Sequence, residues 1–232
     1  STGIMLGDTK ISWDIVISSW DYHYADQFLL DPPYRQYSSK KWNSMTLSPS
    51  WFILYLWITK KISQLQHHTL FFDADWDNHF DSIYNKPMLC RTPSYYVSCV
   101  SKTDPSIAPD GCETIFVFVP TAPGLQLTET EKYSYADFII SHIWRTIGDD
   151  ISPYINIRHI YTWDNFSSDY FAFKWNALGL AHTFSQTLTL RPKNKHSKVS
   201  GLYFTWHYTT PWVWMPMVLI SSKLVKDKIL SI

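Results

Sequence analysis

Short apolar runs bounded by turn residues fill most of the chain, with one long helical stripe among them. Ile4–Leu6, a Gly7–Asp8 turn and Ile11–Ser18 read as a hairpin running into a buried strand, Asp14–Ile17. Asp21–Leu30 predicts a helix stopped by Pro32–Pro33, which offer no amides to continue it. The continuous run Trp51–Thr59 suits a strand buried on both faces, Thr69–Phe72 a shorter strand and Asp77–Tyr84 a short helix. Ser94–Val100 and Thr114–Val119 predict a strand pair around the polar loop Ser101–Glu113.

The strongest helical pattern runs from Glu129 to about Ile147, with Ala136, Ile140, Ile143 and Ile147 on one face. Thr128 and Glu131 have the spacing of a capping box, and Gly148 supplies a stop. Tyr154–Tyr161 predicts a strand and Trp163–Phe173 a helix. After the basic loop Arg191–Lys198 come a strand, Leu202–Tyr208, and a last helix from about Pro216 to Leu230. The order predicts a mixed α/β fold without internal repeats.

At 232 residues the chain can form one large or two small domains. A hydrophobic share of 45% argues against disorder, and 20 basic against 20 acidic residues leave no nucleic-acid footprint. The apolar runs Trp51–Ile58 and Pro211–Ile220 fall short of the ~18–20 residues of a membrane-spanning helix. Cys90, Cys99 and Cys112 are odd in number and lack metal-ligand spacing, which predicts a reducing, cytoplasmic setting.

Asp73, Asp75 and Asp77 begin like a calcium loop, but Asn78 stands where the turn glycine belongs and Tyr84 where the bidentate Glu belongs. A solvated acidic turn accounts for them, and no metal site is expected. His67 and His68 are adjacent, so a strand would point them to opposite sides. His182 and His207 read as satisfied polar residues. Asn165-Phe-Ser167 is a glycosylation sequon by pattern only. No hydrolase elbow, Walker loop or Gly-x-Gly-x-x-Gly is present.

Several segments in order resemble the carotenoid (phytoene-type) desaturase family: HHTLFFDADW (His67–Trp76), SKTDPSIAPDGCETIFVFVPTAPG (Ser101–Gly124), NALGLAHT (Asn176–Thr183), RPKNK (Arg191–Lys195) and GLYFTWHYTTPWVWMPMVLIS (Gly201–Ser221). The resemblance implies an α+β substrate domain inserted in a Rossmann-type FAD domain. It assigns residues 1–20 to the end of the flavin domain's first part, 21–198 to the substrate domain, and 199–232 to the returning flavin-domain strand and C-terminal helix. The nucleotide-binding unit is expected upstream, so the chain reads as an inactive fragment not expected to bind FAD by itself. The implied parent is an FAD-dependent enzyme at a membrane surface that dehydrogenates a long, apolar, acyclic C30 or C40 polyene. The implied flavin-contacting stretch is Trp206, His207, Tyr208, Thr209, Thr210, Pro211, Trp212, Val213, Trp214, Met215 and Pro216. No catalytic base is nominated.

That stretch departs from the family pattern, which carries glycine at the positions of Trp206, Trp212 and Trp214 and histidine at Thr210. Trp175 and Trp57, with Trp13, Trp20 and Trp51, also stand where relatives carry glycine or alanine. The chain has 12 tryptophans and only 7 glycines, where ordinary usage gives about 16. Overpacking costs about 1–3 kcal/mol per site. At about eight sites that rivals a whole stability of about 5–15 kcal/mol. Three explanations compete: decay or engineering, tryptophans filling space left by an absent flavin, or UGA codons that the cell reads as glycine. Desaturation is the leading function. A non-catalytic lipid-binding or interaction module is the alternative, and an amine-oxidase relative is disfavoured by SKTDPSIAPDGCE.

Overall fold

The computed structural model describes residues 2–72, 75–211 and 213–231. In chain order the elements are β1 (Ile4–Leu6), β2 (Thr9–Ile11), β3 (Val16–Ser18), α1 (Tyr22–Phe28), α2 (Ser39–Asn43), β4 (Ser50–Ile58), β5 (His68–Phe71), α3 (Trp76–Tyr84), β6 (Tyr95–Ser98), β7 (Glu113–Thr121), α4 (Glu129–Ile147), β8 (Ile155–Tyr161), α5 (Trp163–Tyr170), β9 (Leu202–Phe204) and α6 (Met215–Leu230). They form two compact units, one of residues 1–48 with 166–232 and the other of 49–165. These divisions differ from the expected boundaries after residues 20 and 198.

The second unit is a five-stranded antiparallel sheet in the order β5-β6-β7-β4-β8. β7 alternates buried and half-buried residues, as a strand with one dry face should. β4 is mostly buried, but Tyr55 is exposed and Trp57 half-buried, so its second face is only partly covered. The Trp57 indole N–H is buried without a hydrogen-bond partner among the described residues. α4 closes the expected capping box, buries Tyr135, Ala136, Ile139, Ile140 and Ile143, and ends at Gly148 in a left-handed conformation. Phe52 meets Tyr135 edge-on, and the Trp163 indole N–H donates to Ala122 O at 3.0 Å.

His67 and His68 do not diverge as expected: their rings lie 4.1 Å apart, because only His68 belongs to β5. Of the acidic run, Asp73 lies outside the described residues, while Asp75 caps α3 through the Asn78 amide and Asp81 pairs with Lys86. Among the described residues no His/Cys/Asp/Glu cluster could hold a metal. No described helix is long and apolar enough to cross a membrane.

In the first unit β3 and β9 pair in parallel, in a sheet separate from that of β4 and β7, as the resemblance of both segments to pieces of one domain implies. β3 is displaced from the expected Asp14–Ile17 and is not buried: Ile17 is 51% exposed. β9 stops at Phe204 instead of Tyr208, because the chain turns at Trp206 with a φ of 90°. The core gathers Tyr22, Ala25, Trp42, Leu180, Phe204 and Tyr208. Tyr22 stacks on Phe204 at 3.9 Å, and the Trp42 indole N–H donates to Asp26 at 3.0 Å.

Candidate functional site

The segment following β9 is held from several sides. Thr205 N donates to Ser18 O at 3.1 Å, and Thr209 N donates to Trp206 O at 3.1 Å, closing a tight turn. The Arg191 guanidinium donates to the carbonyls of Gln186, His207 and Thr209 at 3.0, 2.6 and 3.2 Å. Burial pulls its pKa down to about 10. No carboxylate is involved: the cation is solvated by backbone, which fixes the turn's path.

His207 is half-buried and packed against Gly179, where a Cβ would sit 2.3 Å from its ring, so position 179 admits only glycine. Burial, with Arg191 nearby, lowers the His207 pKa to about 3, so the ring is neutral at physiological pH. Tyr208 accepts from Asn176 Nδ2 at 3.0 Å, and Asn176 in turn accepts from the Gly179 amide. Tyr208 also bonds Asp21, which caps α1 and accepts from the Phe173 amide at 3.2 Å. Desolvation raises the Asp21 pKa to about 6, against the opposing pull of those hydrogen bonds.

Thr209 Oγ1 meets Ser221 Oγ of α6 at 2.8 Å, and Thr210 Oγ1 donates to Leu188 O at 2.9 Å. Pro211 follows a cis peptide bond, and Trp212 lies outside the described residues. Val213 is buried, whereas Trp214, Met215 and Pro216 are exposed at the start of α6. A cleft of about 380 Å³ opens beside the turn, lined by Trp20, Asp21, Tyr170, Asn176, Trp206 and His207 among others. The stretch expected to contact the flavin therefore splits, with 206 and 207 at the cleft and 208–210 serving as internal struts. Asp21 and Arg191 escaped a sequence reading because Asp21 reads as the start of a helix and Arg191 as part of a basic loop. His182 sits apart from the cleft lining, bonded to Thr187 at 3.0 Å.

No family model matches the chain. Over 97% of its length it is 39% identical to a carotenoid 3,4-desaturase from Haloarcula japonica. A phytoene desaturase from Fusarium fujikuroi is 31% identical over the whole chain, and a zeta-carotene-forming phytoene desaturase from Myxococcus xanthus 28% identical over 97%. The chain is a homologue of the carotenoid and phytoene desaturases. It spans 45% of the length of the first relative and 44% of the other two. A solved oxidoreductase from Methanosarcina mazei superposes over 97% of this chain and 48% of its own, at 14% identity and a TM-score of 0.49.

The flavin that the family resemblance implies is tested by the turn itself. A flat ring lying on bare backbone needs positions without a Cβ. This desaturase homologue presents indoles at 206 and 214, and the Trp206 indole, with Trp20, walls the cleft. The residues as they stand do not fit a ring pressed against this segment.

Proposed function

We propose that the whole protein is an FAD-dependent desaturase that dehydrogenates an acyclic C30 or C40 polyene in carotenoid biosynthesis, working in the cytoplasm at a membrane surface. The single observation behind this is the 39% identity to the Haloarcula japonica enzyme along 97% of the chain. An apolar groove of about 710 Å³ in the second unit, lined by Met88, Leu89, Leu125, Leu127 and Phe138 among others, offers the dry surface that a long hydrocarbon needs. Substrate binding is assigned to the middle of the chain and cofactor contact to 206–216, with the chain alone inactive and unable to retain FAD.

The misfit at 206 and 214 favours a second reading, a lipid-binding module derived from this family that has lost its flavin. Liposomes loaded with a C30 or C40 acyclic polyene separate the two. A desaturase converts the polyene to longer-wavelength chromophores when the whole protein and FAD are supplied. A binding module floats with the liposomes and leaves the spectrum unchanged.

A further inference from the structure

Trp206 and Trp214 stand apart from the other described tryptophans in their backbone. Their φ values are 90° and 91°, and Trp214 combines its φ with a ψ of 145°. That corner of conformational space is essentially reserved for glycine, because any Cβ there collides with its own backbone. Phe171, Lys174, Trp175 and Leu188 also have positive φ, but at 47–58° their φ lies in the range of the left-handed helical well that other residues enter at modest cost, and Lys174 with its ψ of 33° sits in that well. All 7 glycines of the chain take positive φ as well. Trp206 and Trp214 therefore behave as glycines do.

Their side chains bury little to repay the strain: the Trp206 ring meets His207 edge-on at 5.5 Å at the mouth of the cleft. Trp206 is 45% exposed and Trp214 55% exposed, so neither indole fills a vacated core. Around them the turn is intact: Thr209 closes on Trp206 O, Arg191 holds the following carbonyls, and Gly179 leaves room for His207. A decaying site would not keep these struts while substituting at the positions that need no side chain. Trp42 and Trp163 are the opposite case: each is fully buried, and each indole N–H has an acceptor.

From this contrast we infer that positions 206 and 214 are glycine in the working protein, their codons being UGA read as glycine by the cell that makes it, while Trp42 and Trp163 are true tryptophans encoded by UGG. Glycine at 206 removes an indole wall from the cleft and leaves backbone exposed there. The inference stands on backbone geometry and does not depend on the desaturase reading.

The experiment is peptide sequencing by mass spectrometry of the protein isolated from its native cells, alongside the codons of its gene. The tryptic peptide from Val199 to Lys223 should read glycine at 206 and 214, both from UGA. Peptides covering Trp42 and Trp163 should read tryptophan from UGG. Tryptophan at either 206 or 214 overturns the inference, as does glycine at 42 or 163. UGG at 206 or 214 would overturn the decoding.

Discussion

Asp21 is buried and His207 and His23 are half-buried in the first unit, and desolvation moves them in opposite directions. Desolvation raises the carboxyl to about 6 and lowers the imidazoles to about 3 and about 4. In the unfolded chain a carboxyl titrates near 4 and an imidazole near 6.5. Between about pH 4 and 6 the folded protein thus keeps a proton on Asp21 that the unfolded chain has lost. It also lacks imidazole protons that the unfolded chain carries. The histidines make stability rise with pH through that window, and Asp21 opposes the rise by up to one proton, roughly 1.4 kcal/mol per pH unit. Asp21→Asn should retain the helix cap and steepen the rise, as read from urea midpoints across that window; an unchanged slope would contradict the burial of this carboxyl. Gly179→Ala tests the close approach. With its φ of 74° and a ring 2.3 Å from the new Cβ, it should cost at least ~2–3 kcal/mol. Gly111→Ala, with a φ of 78° but open space around it, should cost only about 1 kcal/mol.

At the scale of elements, α4 was legible in full because its signals are local: the Thr128–Glu131 box, the apolar stripe and Gly148 all lie within the helix or beside it. Thr128→Ala should therefore lose about 1 kcal/mol of stability, measurable by thermal or urea unfolding. β4 and β7 were legible for the same reason, as continuous apolar runs. The ends of β3 and β9 were not, since a parallel pair is set by distant partners and by the turn at Trp206, which no apolar pattern announces. The resemblance named 206–216 but not the supports of its first residues, because Asp21, Asn176 and Arg191 join that turn only through the fold. The expected overpacking also proved too simple. Trp51 is buried and stacks on Phe118 at 3.7 Å, while Trp13, Trp20, Trp206 and Trp214 are exposed and crowd no core. The cost at 206 and 214 lies in the backbone instead.

At the scale of the whole molecule, a separate five-stranded sheet and a unit bearing the β3–β9 pair accompany homology to desaturases more than twice as long as this chain. The proposed division of labour gives the hydrocarbon to the middle of the chain and the cofactor ring to the turn after β9. The most direct measurement pairs two forms of the whole protein in polyene-loaded liposomes, both supplied with FAD. One form carries Trp206→Gly, Trp212→Gly and Trp214→Gly; the other keeps Trp212 and carries only the outer two substitutions. The first should convert the polyene and the second should lose on the order of 100-fold in rate, since a displacement of ~1 Å at reacting atoms has that effect. Equal turnover by both would contradict the placement of the turn at the cofactor ring. Absence of polyene conversion by the all-glycine form, with flavin bound, would contradict the desaturase itself.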